Sequence, residues 1–145
     1  MRWPLKICFI AIIATPQITL AETYRCDLGH IIDVGHNGKF EDKKAVDDQS
    51  DFSEFYLNID FNTNKGTSSA CTKTGCTKWN DLLVAGYKKS EALETIRLVA
   101  VGGFELWSLE RLFTKSGDFH AATASISGLS TRSRFGACRL TIGPQ

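Results

Sequence analysis

Several signatures are missing from the sequence, and each absence narrows the chemistry. No CxxC pair occurs, so the usual dithiol redox motif is excluded. Neither HxxxH nor HExxH is present, so no helical zinc-hydrolase arrangement is encoded. The G-x-S-x-G nucleophile elbow is missing. None of Asn37, Asn58, Asn62, Asn64 and Asn80 opens an Asn-x-Ser/Thr sequon, which leans toward a bacterial periplasm over a eukaryotic secretory route. Internal repeats, low-complexity tracts and linkers are lacking too. No apolar run approaches the roughly 20 residues that span a bilayer.

The apolar run that does exist is short and N-terminal. Arg2 and Lys6 precede Ile7–Ala14, and Pro16-Gln17 stops the run from extending further. Thr19-Leu20-Ala21 puts small residues at the two positions a signal peptidase reads. The reading is a secretory signal peptide over 1–21, cleaved after Ala21, with a single β domain over 22–145 that is periplasmic or secreted. Removing Arg2 and Lys6 lowers the basic count from 17 to 15, against 16 acidic residues. A near-neutral surface offers no electrostatic ground for nucleic acid or anionic membrane as partner. The mature form is expected to have no membrane span.

Cys8 departs with the leader. Cys26, Cys71, Cys76 and Cys138 remain, an even set in an exported chain, which reads as two disulfides. Four cysteines allow three pairings. The favoured one is Cys71–Cys76 with Cys26–Cys138. The first closes a short turn containing Gly75, and the second ties the first strand to the last. Loop entropy assigns about 4–5 kcal/mol to the long closure and about 2 kcal/mol to the short one. Four-cysteine zinc sites usually show two close pairs, whereas only one is close here.

Short apolar runs punctuated by turn residues are the all-β pattern. Phe55, Leu57, Ile59 and Phe61 alternate with Tyr56, Asn58 and Asp60, giving one buried and one wet face. Ile96, Leu98 and Ala100 repeat the pattern. Further strands are expected over Tyr24–Val34, Thr67–Cys71, Thr77–Tyr87, Phe104–Phe113, Phe119–Ile126 and Phe135–Ile142. Lys39–Asp51 reads as a loop or short surface helix, and Gly128–Ser133 as a polar loop. Lys88–Glu94 is either a helical turn capped by Ser90 or a hairpin tip. About eight antiparallel strands with hairpin-length links close into a small barrel or a two-sheet sandwich, disulfide-stapled, with at most a short surface helix.

Candidate chemistry is sparse. His30, His36 and His120 have no metal-ligand spacing and read as ordinary histidines. Glu41, Asp42, Asp47, Asp48, Asp51 and Glu54 lack the order and glycine of a calcium loop, with Lys43 and Lys44 among them, so they read as a solvated charged segment. Ser125, Ser127, Ser130 and Ser133 carry no triad pattern. No cofactor is expected. The aromatics Tyr56, Trp79 and Tyr87 are the candidate binding residues, because outward Trp and Tyr dominate interface hot spots. Trp107 is assigned to the core.

The segment Tyr24-Arg-Cys26-Asp-Leu-Gly29 behind a leader, closed by Cys138 near the end, resembles small exported β-barrel proteins of Gram-negative bacteria. The nearest named family is the MliC-type inhibitors of c-type lysozyme. The resemblance implies a periplasmic eight-stranded barrel that plugs a lysozyme cleft with exposed loops. The chain departs from the family in its length, its Cys71/Cys76 pair and the lack of an inner Ser-Gly-x-x-Tyr segment, so no inhibitory residues carry over. The leading functional expectation is a non-catalytic periplasmic binding or inhibitor-like module acting on an envelope or secreted protein or another envelope component. A small-ligand barrel and a periplasmic hydrolase are the alternatives.

Overall fold

A computed structural model describes residues 21–35, 37–44, 52–113, 117–127 and 130–141. Residues 1–20 of the expected leader, with His36, Asp47, Asp48 and Asp51, lie outside the described residues.

The described chain is all β. In order, the strands are β1 (Glu22–Val34), β2 (Phe40–Lys44), β3 (Glu54–Asp60), β4 (Lys65–Thr72), β5 (Gly75–Lys89), β6 (Leu93–Ala100), β7 (Glu105–Leu112), β8 (Phe119–Ser127) and β9 (Ser130–Thr141). Each pairs antiparallel with its neighbours, and β1 also pairs with β9, closing an eight-stranded barrel. β2 is the extra strand. It pairs with the second half of β1, from His30 to Val34, on the edge whose first half is taken by β3. Of the two expected architectures, the barrel is therefore the outcome.

Pleat alternation supplies the core. Phe55, Leu57 and Ile59 on β3 point inward, as do Ile96, Leu98 and Ala100 on β6. Trp107, Tyr24, Phe119 and Leu109 fill the space between them, so the middle of the barrel is packed. Phe55 and Trp107 meet edge to face with centroids 5.5 Å apart.

Both cysteine pairs stand at bonding distance, Cys26–Cys138 across the closing seam and Cys71–Cys76 across the β4–β5 hairpin. Two such bonds indicate an oxidising, extracytoplasmic location. The seam also depends on Gly136. Opposite the irregularity between Asp27 and His30, the Asp27 carbonyl oxygen comes within 1.8 Å of where a Gly136 Cβ would stand. Only a residue without a side chain lets β1 and β9 approach there.

Two segments differ from the expectation. Phe40–Lys44 is a strand rather than loop or helix, because its ladder with β1 satisfies its backbone although neither face is apolar. Ser130–Ser133 is the start of β9, not a loop. Lys88–Glu94 resolves as a hairpin, with the Ser90 N–H and hydroxyl both donating to the Leu93 carbonyl.

Candidate functional site

The two ends of the barrel are built from similar residues and finished differently. At the lower end, Glu94 and Arg111 are direct cross-strand partners on β6 and β7 and form an ion pair. Glu94 is only 3% exposed. It also accepts the Tyr87 hydroxyl at 3.0 Å, with Lys89 Nζ at 4.0 Å. Arg111 lies over the Phe119 ring at 4.5 Å and the Phe113 ring at 5.0 Å, and Tyr24 meets Phe119 edge to face. Burial, then the hydrogen bond to Glu94, pushes the Tyr87 hydroxyl up to about 12. Burial likewise drives Tyr24 far above the usual tyrosine range, helped by its bond to Glu22. This end turns its charged groups on one another, although Arg111 Nε is buried without a hydrogen-bond partner and Tyr87, Leu112, Phe113 and Leu140 stay exposed.

The upper end is open. Glu105 on β7, Ser125 on β8, Arg132 on β9, Asp33 on β1 and Glu41 on β2 are successive cross-strand partners, and all five line one cavity of about 660 Å3. Arg132 grips Asp33 through Nε and Nη2, both at 2.7 Å, and Lys43 Nζ stands 3.4 Å from the same carboxylate. The hydrogen bond from Arg132 holds the Asp33 carboxyl below its ordinary range, with Lys43 adding to it. Glu105, 7% exposed, accepts from Trp79 Nε1 and Asn80 Nδ2, both at 2.9 Å. Arg134 lines the cavity one inward step below Arg132, 5% exposed, with its guanidinium 5.6 Å from the Phe55 ring centroid.

Outside this basin runs an apolar rim. Ile126, Thr131, Val34 and Phe40 are successive partners on β8, β9, β1 and β2, and the Ile126 N–H donates to the Phe104 carbonyl at 2.9 Å. Phe104 is 77% exposed and Phe40 63%. Ile126, Val34 and Trp79 are also exposed. The β4–β5 hairpin stands beside them, with its Thr72–Trp79 segment exposed throughout. Trp79 rests edge to face on Phe52, centroids 5.6 Å apart.

The three aromatics singled out in the sequence are not brought together. Trp79 belongs to the basin wall. Tyr87 sits at the lower end, 4.6 Å from the Phe61 ring. Tyr56 is half-buried on the outer face of β3, between Arg25 and Ser69 of the neighbouring strands. Sequence reading missed Arg132, Arg134, Asp33 and Glu105. Their signal was there, as charged residues at alternate positions of strand-like runs, where a barrel wall turns them inward.

His30 pairs with Asp42 at 3.0 Å and lies near Phe135, while His120 is exposed on β8. Among the described residues, no group of three or more His, Cys, Asp or Glu could hold a metal ion. The described residues contain no helix long and apolar enough to cross a membrane. Comparison with family models, curated proteins and solved structures found no match.

Proposed function

We propose that the protein is a non-catalytic binding module, exported to the periplasm or beyond after loss of residues 1–21. It engages a protein or another envelope component through the upper end of its barrel. One observation carries the reading: the two ends differ. The lower end spends its charged groups on each other, with Phe113 40% and Leu140 43% exposed, whereas the upper end surrounds a mixed-charge basin with the more exposed Phe104, at 77%, and Phe40, at 63%. Exposed apolar side chains clustered around preorganised polar groups are what interaction sites use. The basin receives a polar projection of the partner, and the rim supplies apolar contact. Among candidate partners, c-type lysozyme comes from the resemblance of the opening Tyr-x-Cys strand and the end-to-end cysteines.

A second reading has its own support. A cavity of about 660 Å3 falls within the range of small-molecule sites, roughly 300–1,000 Å3. A free polar ligand of modest size would occupy the same basin.

Site-specific photocrosslinking tests the main reading. A benzophenone side chain placed at Phe40 or Phe104 should give the same discrete protein adduct in envelope extract, and one at Phe113 or Leu140 should not. Purified c-type lysozyme provides a defined arm of the same experiment. Equal adducts at both ends, or none at Phe40 and Phe104, would remove the upper end as the interface. Co-purification of a small molecule in native mass spectrometry, lost in Arg134→Met, would favour the second reading.

A further inference from the structure

The two disulfides staple the same barrel but differ in access. Cys26 and Cys138 are both fully buried under the β1–β9 seam. Cys76 is exposed, and so is every residue from there to Trp79. Support for the backbone is unequal as well. Gly75–Asn80 pair with β4 alone, because β6 first meets β5 at Leu82 opposite Ala100, just below the bond from the Val101 N–H to the Asp81 carbonyl. This arm therefore hangs on one ladder and one covalent staple.

We propose that Cys71–Cys76 is a thiol–disulfide exchange site, taking a small thiol or a dithiol reductase, and that its state sets the position of the arm carrying Trp79. An external thiolate attacks the exposed Cys76 sulfur. A mixed disulfide forms there, the Cys71–Cys76 bond breaks, and Cys71 leaves as a thiolate that takes a proton from water. A second external thiolate attacks the external sulfur of the mixed disulfide, releasing Cys76 and an external disulfide. Two thiols are oxidised and one disulfide reduced, so two electrons pass in all. Cys26–Cys138 has no comparable approach without opening the seam.

The coupling runs through Trp79, three residues beyond Cys76. Its indole N–H donates to Glu105 and its ring rests on Phe52. With the staple cut, one ladder holds Gly75–Trp79, so Trp79 separates from Glu105 and the basin loses one wall.

Folded protein equilibrated without denaturant at graded glutathione ratios, quenched in acid, alkylated and mapped by peptide mass spectrometry gives the test. Cys71 and Cys76 should become labelled at reductant levels at least tenfold below those needed for Cys26 and Cys138, with the glutathione adduct on Cys76. Tryptophan emission should shift across the same titration, and the shift should vanish in Trp79→Phe. The double variant Cys71→Ser/Cys76→Ser should show the reduced-state emission at every ratio. Equal protection of both pairs up to global unfolding would overturn the proposal. So would selective reduction of the short pair with no change in Trp79 emission.

Discussion

Replacing Glu94 by glutamine tests whether the lower end is held by an electrostatic lock. The substitution keeps shape and one hydrogen-bonding oxygen, and it removes the negative charge from a side chain that is 4% exposed against Arg111 at 20%. Breaking a fully buried pair costs about 3–5 kcal/mol, mostly because the surviving charge is stranded. Arg111 retains a fifth of its surface in water and lies over Phe119 and Phe113, so part of its charge stays compensated. The expected cost is about 2–3 kcal/mol. Replacing both partners, Glu94→Leu with Arg111→Met, strands no charge, leaves the half-exposed Tyr87 hydroxyl and the Gly117 carbonyl to water, and should cost about 1 kcal/mol or less. Urea unfolding of Glu94→Leu, Arg111→Met and their double, with unchanged m-values, gives the coupling directly. A Glu94→Gln cost below about 0.5 kcal/mol would refute the lock. A double variant costing the sum of its singles would do the same.

Gly136→Ala drives a methyl into the Asp27 carbonyl across the closing seam, where backbone on both sides cannot yield, so a loss of about 3 kcal/mol or failure to fold is expected by thermal melting. Removing Cys26–Cys138 by paired Ala substitution should lower stability about 4–5 kcal/mol, against about 2 for Cys71–Cys76, compared by urea midpoints. Asp33 has a folded pKa held below its unfolded value by Arg132, so its contribution is full above about pH 4 and disappears as pH falls through the depressed value. Asp33→Asn should flatten the unfolding midpoint between about pH 2 and 5. Tyr87 has the opposite sign: its folded pKa is raised to about 12, so its contribution is full below about 10 and lost as pH rises through about 12. Tyr87→Phe should reduce the alkaline fall in the unfolding midpoint, leaving the share that the buried Tyr24 contributes. Ser125→Leu fills the basin from the small position between Glu105 and Arg132, and should change stability by less than about 1.5 kcal/mol while removing the crosslinks at Phe40 and Phe104.

Where a strand has one face in the packed core, the sequence exposes it. Phe55–Leu57–Ile59 and Ile96–Leu98–Ala100 alternate because the barrel interior is apolar at their level. The favoured cysteine pairing also matches the structure: Cys71–Cys76 was marked by its short turn, and Cys26–Cys138 was the pair that remained. β2 was not. Its Glu41 lines an open, polar cavity and its Lys43 reaches Asp33, so no apolar face is imprinted on Phe40–Lys44. The start of β9 fails for the same reason: Arg132 and Arg134 line the cavity while Thr131 and Ser133 take the alternate positions, leaving both faces polar. Both misread segments line the candidate site, which takes Asp33, Trp79, Glu105 and Ser125 from strands that were read correctly. Tyr56 and Tyr87 show the converse limit, since alternation marks a side chain as outward without saying which part of the wall it shares.

Spacing along the strands decides how each end of the barrel uses its charges. At the lower end, Glu94 and Arg111 are immediate cross-strand partners, so their side chains meet and aromatic rings close over them. At the upper end, the corresponding acid and base, Glu105 and Arg132, stand two strands apart with Ser125 between them. A serine cannot bridge that width. Arg132 therefore turns to Asp33 on its other side, Glu105 turns to Trp79 and Asn80, and the space between them becomes the basin. Polar groups fixed by partners at their backs and facing water at the front are preorganised: their conformational cost is met in folding, so a ligand that fits them loses little further entropy on binding. Had the cavity been only a packing fault, apolar walls would be expected, because an empty apolar void can persist unfilled whereas buried charges cannot go uncompensated. Five of its walls instead come from one registered row of polar side chains across five strands, an arrangement that a single register slip would dismantle.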